Sequence, residues 1–513
     1  MALDAVTLEL VWTRLISAVD EAAKAIVRTS FSTLSNEAND FACVLTDAKG
    51  HSLAQNTGSI PSFIGTLPAT VRAIMAAHPP TEMLPGDIYI TNNPWIGTGH
   101  LNDISLVRPI FHEGRLVAFG ATTSHVPDIG GRIRSTEARE LFEEGFHIPP
   151  MILLRDGQVD RTLITLLRTN VRTPEQTEGD VWAQVSALAL IDNRIMRTLD
   201  DHGLPNLETV AREIFDRSEA EMRRRIAALP EGTWHYAMQT DGMEQPFTFA
   251  VAITLRGGEI FFDFAGTSPQ QPRAVNCVLA YTSAMTVFAI KSLLLPELPN
   301  NEGIFRPLHI SAPEGSILNP RYPAPVGGRA ATGHYVPPLI FGALASVLPD
   351  KVRAAPGSPI WIMNINGTDL RGRTFANVLF FNGGTGAGAT QDGVSAISWP
   401  SNISATPIEV AERTAPVLIH HKALVDGSGG TGRHDGGRGY EMVVEIEADN
   451  VGTVFVTERL KYGAPGMAGG GAGALGAVLV DGEPIDTRRQ QTLMRGNVVT
   501  VRTPGGGGYG GAG

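Results

Sequence analysis

Two histidines and two aspartates stand in a repeated arrangement near residue 100. His100 and Asp103 lie three apart in WIGTGHLNDISL, and His125 and Asp128 lie three apart in TTSHVPDIGG. Two imidazoles and a carboxylate make a facial donor set that suits manganese, iron or zinc and leaves coordination positions open for water or substrate. Gly97 and Gly99 let the first loop bend, and Pro94 stiffens it. The same spacing fits a plainer arrangement, in which His100 caps a turn and His125 is a hydrogen-bonded core histidine. Spacing leaves both readings open.

Other chemistry-bearing residues carry weaker patterns. Glu37 and Asp40 in SNEANDF precede a strand, where they either face a pocket or serve a turn; Glu143 and Glu144 precede Gly145 as the end of a helix would. Glu409 and Glu412 follow Pro407 at helical spacing, and a structural or solvated role outweighs a catalytic one for all of these carboxylates. His420 and His421 fall in a strand, so they are expected to point to opposite faces and at most one can serve a site. Common nucleotide and hydrolase signatures are missing. There is no Gly-x4-Gly-Lys-Ser/Thr loop and no His-Glu-x-x-His, and FFNGGTGAGATQDG does not match the dinucleotide pattern. Ser428 in DGSGGTG has Asp426 where a nucleophile elbow needs glycine.

The elements that must position these residues are legible in the hydrophobic periods. Leu8, Trp12, Leu15, Val19, Ala22 and Ile26 recur at helical spacing, and a second helix is expected from Ile64 to His78, stopped by Pro79 and Pro80. Strands and hairpins follow, turning at Asp47 to Gly50, Glu113-Gly114 and Asp156-Gly157. Residues 179–229 return to helical spacing with a break at Gly203-Leu204-Pro205. Beyond Thr248 the pattern becomes β, with a turn at Gly257-Gly258 and short helices near 283–294 and 336–348. The expected class is α+β: several mixed sheets, helical segments in the N-terminal half, and a β-rich, glycine-rich C-terminal half. The division is placed at 1–240 and 241–513.

Composition excludes several classes. Of 513 residues, 57 are Gly and 34 are Pro with no Gly-X-Y period, which argues against collagen and against a helical bundle. Lys+Arg 41 against Asp+Glu 52 gives −11, and the one dense basic run, Arg223 to Arg225, sits beside Glu219 and Glu221 in a helix, so nucleic acid is not an expected partner. Two cysteines are too few for a disulfide framework, and no apolar stretch approaches the roughly 18 residues of a membrane span. A cytoplasmic protein with no membrane partner is expected.

These motifs together resemble the hydantoinase B/oxoprolinase family. The resemblance runs through SNEANDFACVLTDAKGHSLAQ, GDIYITNNPWIGTGHLNDISLVRP, SHVPDIGG, EEGFHIPP and NVRTPEQTEGDVWAQ, and on through DFAGTSPQ, NEGIFRPLHISAPEGSILNP, GGTGRHDGGRGYE and TPGGGGYG. It implies the catalytic B-type subunit of an ATP-dependent cyclic amidohydrolase that opens a hydantoin, 5-oxoproline or lactam ring. A hydantoinase A-like ATPase partner would bind ATP and phosphorylate the substrate, in a hetero-oligomer such as α2β2. The resemblance also implies a divalent metal, manganese or zinc, on His100, Asp103 and His125, with a metal-activated water. Asp128 would orient a ligand or act as base, and Asp128 or Glu144 would carry the proton to the departing nitrogen. Two alternatives remain: the metal-binding subunit of an ATP-dependent ketone carboxylase of the acetone or acetophenone type, and a scaffold that only docks the ATPase. The family commonly has Glu-Arg before the Asp-Phe of the opening motif; here Ala38-Asn39 separate Glu37 from Asp40, and that basic residue is missing. The glycine runs are expected as a ligand cradle near the N-terminus and, toward the C-terminus, as tight turns or partner-facing loops.

Overall fold

The N-terminal helix, Ala5–Thr29, turns one apolar stripe inward. Leu8, Val11, Leu15, Val19, Ala22 and Ile26 are buried along it, and each fully buried Leu, Val or Ile contributes roughly 1.5–3 kcal/mol. The structure is a computed structural model that describes residues 4–132, 136–358 and 360–511. The Ala5–Thr29 helix lies against the long helix Pro174–His202, and this pair covers one face of a seven-stranded sheet. Gly203, with φ of 60°, ends the long helix where the sequence places a break, and Glu208–Ala227 follows. On that helix Arg223, Arg224 and Arg225 pair with Glu219 and Glu221, so the basic run is a set of surface ion pairs.

The first sheet has the order β2-β1-β5-β4-β3-β6-β7. Its strands are β1 (Phe41–Asp47), β2 (Ser52–Gln55), β3 (Ile88–Thr91), β4 (Asp103–His112), β5 (Arg115–His125), β6 (Met151–Arg155) and β7 (Gln158–Val159). β4 and β5 form a long hairpin at the centre. A second sheet, order β11-β10-β9-β8, contains β8 (Gly232–Thr240), β9 (Phe247–Arg256), β10 (Glu259–Asp263) and β11 (Leu308–Ser311). The helices Leu279–Leu294 and Val336–Ala343 pack against each other, and the second also touches β8 and β9.

Two further sheets make the C-terminal part. One has the order β13-β12-β16-β19, from β12 (Trp361–Thr368), β13 (Thr374–Phe381), β16 (Val451–Val456) and β19 (Gln491–Leu493). The other has the order β14-β15-β20-β17-β18, from β14 (Val417–Leu424), β15 (Tyr440–Ile446), β17 (Ala477–Val480), β18 (Glu483–Pro484) and β20 (Val498–Arg502). The fold is therefore mixed α+β with four sheets, as the periodicities imply. A large apolar core gathers residues from Leu8 to Leu344 together with Val352, Ala387 and Tyr509, and a separate one lies between the last two sheets, around Trp361, Phe381, Val444 and Val499. No helix among the described residues is long and apolar enough to cross a membrane.

Two expectations change in detail. His420 and His421 do not take opposite faces, because the β14–β15 register shifts between Ile419 and His421. The extra residue lets His420 reach Glu445 at 2.7 Å and His421 approach Glu441 at 3.9 Å, two glutamates on one face of β15. The C-terminal glycine runs are more than turns. A Cβ on Gly384 would lie 1.7 Å from the Gly437 carbonyl oxygen, and one on Gly505 would lie 1.8 Å from that of Ser428. Segments near 384, 430, 437, 470 and 506 stack main chain on main chain, at separations that only glycine permits.

Candidate metal centre

Three adjacent strands carry the donors to one end of the first sheet. Asp103 pairs directly with His125 across β4 and β5, and on the far side of β5 Phe41 pairs with Ser124. The His125 N–H donates to the Asp40 carbonyl at 3.0 Å. Asp40, His125 and Asp103 thus form a row across β1, β5 and β4, and His100 joins it from the loop before β4. That loop turns at Gly99, whose φ is +100° and whose missing Cβ would sit 2.7 Å from the Arg329 Cδ. Any other residue there would be strained and would displace the arginine.

The side chains of His100, Asp103 and His125 converge. His100 Nε2 lies 2.8 Å from Asp103 Oδ1, His125 Nδ1 lies 2.8 Å from the same oxygen, and the two ring nitrogens are 3.1 Å apart. All three residues are buried, at 1–2% exposure, and they form a three-residue group able to hold a metal ion. The surroundings fix each donor. His100 Nδ1 faces the Gly327 carbonyl at 3.3 Å, an acceptor that holds its proton and turns Nε2 toward Asp103. Arg329 donates to Asp103 Oδ2 at 2.6 Å and to the Thr98 carbonyl at 2.6 Å, and the Thr98 hydroxyl also donates to Oδ2. One carboxylate oxygen is therefore committed to the protein and Oδ1 faces the histidines.

Burial alone would raise the Asp103 pKa, but the charges of His100 and Arg329 and hydrogen bonds from both imidazoles outweigh it, holding it well below the usual carboxylate range. A carboxylate held ionised with both imidazoles aimed at its inner oxygen fits a divalent cation, which would take the place of the imidazole protons there.

A small chamber of about 30 Å³ opens on the site, lined by Asp40, His100, His125, Tyr281, Arg329 and His334 among others. The Tyr281 hydroxyl and His334 Nε2 are 2.9 Å apart, and the Arg329 guanidinium lies 4.6 Å from the Tyr281 ring centroid. Ile360, Ile362 and Phe380 supply an apolar wall from the C-terminal part.

The other sequence candidates do not line the chamber. Asp128 lies beyond His125, bound to the Arg172 guanidinium at 2.6 Å and to the Arg172 backbone N–H. Glu144 is buried behind the loop that carries Gly327; its Oε1 accepts from the N–H groups of Val326 at 2.9 Å and Gly327 at 2.7 Å. Neither lines the chamber. Glu412 accepts from the Ile419 N–H, and Ser428 Oγ bridges the Val425 carbonyl and the Gly439 N–H. Arg329, Tyr281 and His334 were not legible, because PVGGRAATGH carries no spacing that ties it to residues more than 200 positions earlier.

The family profile described as Hydantoinase B/oxoprolinase matches residues 4–512. The chain belongs to this family. Among its relatives, the putative D-/L-hydantoinase B-type subunit of Pseudomonas sp. strain NS671 is 28% identical over 99% of this chain and 90% of that protein. The ATP-dependent caprolactamase from Pseudomonas jessenii superposes with a TM-score of 0.91 at 25% identity, covering 100% of this chain and 92% of its own. The nucleotide-free acetone carboxylase structure shares the fold, with a TM-score of 0.90 at 19% identity over 99% of this chain and 76% of that one.

Proposed function

We propose that this hydantoinase B-family chain is the metal-bearing subunit of an ATP-dependent cyclic amide hydrolase, acting on a ring whose carbonyl an A-type ATPase partner has phosphorylated. The observation that carries the reading is the convergence of His100 Nε2, His125 Nδ1 and Asp103 Oδ1, each oriented from behind by a partner of its own or by the strand register. The relatives' names support the amide class: a hydantoinase and a caprolactamase.

His100, Asp103 and His125 would hold manganese or zinc, which when bound supplies Lewis acidity toward a carbonyl oxygen or a water molecule. Arg329 neutralises the outer oxygen of Asp103 and keeps the inner one aimed at the chamber. Glu144 fixes the Gly327 carbonyl that sets the His100 tautomer, and Asp128 anchors the segment after His125 to Arg172; both act through the histidines rather than on substrate. Asp40 and the Tyr281–His334 pair line the chamber and would pass a proton to the departing ring nitrogen. Ile360, Ile362 and Phe380 keep bulk water from the activated ring. Both cysteines, Cys43 and Cys277, are free and buried, which supports a cytoplasmic setting.

The test is His125→Ala in the complex with the ATPase partner, read by elemental analysis and by ring opening. Loss of both metal and turnover is expected, with partner binding retained. Full ring opening without metal would sink the proposal. A requirement for bicarbonate, with a new carboxylate in the product, would replace it by ketone carboxylation.

A further inference from the structure

His125 stands between two spaces. It lines the chamber, and it also lines a slot of about 20 Å³ bounded by Asn102, Pro127 and Asp128 on one side and by Asn364 and Asn366 of β12 on the other. The two spaces follow one another along the third sheet. Ile362 pairs with Phe380 at the chamber, and Asn364 with Val378 and Asn366 with Ala376 continue that face at the slot. The face thus changes from apolar to amide as it passes His125. Arg132, which is exposed, also lines the slot, so solvent has a way in.

The histidine brings one unmet group. Its Nδ1 is turned to Asp103 and His100, whereas its Nε2 has no hydrogen-bond partner among the described residues and retains accessible surface. His100 differs, because its outer nitrogen faces the Gly327 carbonyl. With Nδ1 given to a cation, the ring proton of His125 belongs to Nε2, and imidazoles that bind metal almost always donate that second N–H. The residue is only 2% exposed, so the acceptor must sit in one of the small spaces beside it.

Size and charge decide what the acceptor is. About 20 Å³ admits one water molecule, at most two, and no substrate ring. Asp128 is committed to Arg172, which leaves neutral amides facing the slot and no free carboxylate for a cation. An asparagine amide both donates and accepts, as a bridging water requires.

We propose that the slot holds an ordered water that accepts the His125 Nε2–H and is held in turn by Asn364 and Asn366. These asparagines are positioning residues: from the third sheet, through water, they steady a donor carried by the first. Only the effect on metal affinity rests on the metal-centre reading; the water does not.

A crystal structure of the full chain soaked with zinc is expected to show a water about 3 Å from His125 Nε2 and from an asparagine side chain. Chelator competition then reads zinc affinity. Asn364→Leu, which removes the polar group that holds the water, should weaken zinc about 10–100-fold. Asn364→Asp keeps an oxygen for the water and should bind within a few-fold of wild type. Asn366 makes no side-chain hydrogen bond to the described residues, so Asn366→Leu breaks none; it should also weaken zinc, and it carries the test if Asn364→Leu does not fold. Unchanged affinity in the leucine variants, an equal loss in Asn364→Asp, or no water at Nε2 overturns the water-filled slot. A wild-type chain that shows the water and takes up no zinc overturns the metal-centre reading instead.

Discussion

Arg329 is the residue on which the candidate metal centre leans most heavily from outside. It is 4% exposed, it neutralises the Asp103 oxygen that faces away from the histidines, and it is clamped by the Thr98 carbonyl and the Tyr281 ring. Removing such an outer partner typically lowers metal affinity about 10–100-fold. Arg329→Met is therefore expected to bind zinc or manganese that much more weakly in a chelator competition, and unchanged affinity would show that Asp103 needs no such support. The three donors were legible because His-x2-Asp and a later histidine lie in short motifs. Arg329 was not, since its contact with Asp103 spans 226 positions and exists only after folding. Asp40 falls between the two cases: its sequence favours a turn over a pocket, yet the pairing of β1 with β5 brings it to the chamber lining.

Among the elements, the segment after β16 stores an unusual acid. Burial, with the nearby Asp241 charge adding to it, pushes the Glu458 carboxyl up to about 8, where it accepts a hydrogen bond from the Tyr335 hydroxyl at 3.1 Å. A pKa raised on folding means that the folded chain holds a proton the unfolded chain gives up. Stability linked to Glu458 is then complete at low pH and is lost as the pH climbs from about 4.5 to about 8. Glu458→Gln cannot ionise, so its melting temperature should change less than the wild type's across that window. An equal slope in both would place the proton elsewhere. The strands themselves were readable from period-two patterns and turn residues, as at Asp47 to Gly50 and Gly257-Gly258, where strands end as expected. The bulge at His420 was not, because one inserted residue leaves no mark on composition and still reverses which face the next side chain takes.

Over the whole molecule, the chamber depends on parts distant in sequence. Leu34, Ala38 and Ala330 pack with Ile360, Ile362, Val378, Phe380 and Val456, so the third sheet forms a wall of a site whose donors come from the first sheet and the loop leading into β4. Asp241 makes a second tie: its carboxylate accepts the backbone N–H groups of Leu460, Lys461 and Tyr462 at 2.6, 3.0 and 2.9 Å. Asp241→Ala should destabilise the chain by about 2–3 kcal/mol, since it leaves those N–H groups without their acceptor. A chemical denaturation midpoint within error of wild type would contradict this. Such long-range ties are what the sequence conveys least, because neither Asp241 nor Ile362 stands in a motif that names its partner.

The central hairpin has a further consequence. Asp103 and His125 are its first and last residues, facing each other across the open end, while the turn at Glu113-Gly114 lies at the opposite end, exposed and with positive φ at both positions. The candidate metal donors sit at the mouth, at the far end from the tip. Lengthening the tip leaves the spacing of the mouth to the ladder of main-chain pairs between them, so a peptide tag or a fluorescent label inserted there would report on this chain without reaching its centre. A single residue added near the mouth would rotate one donor to the opposite face of the sheet. One hairpin thus contains both the most permissive and the least permissive place to edit this chain.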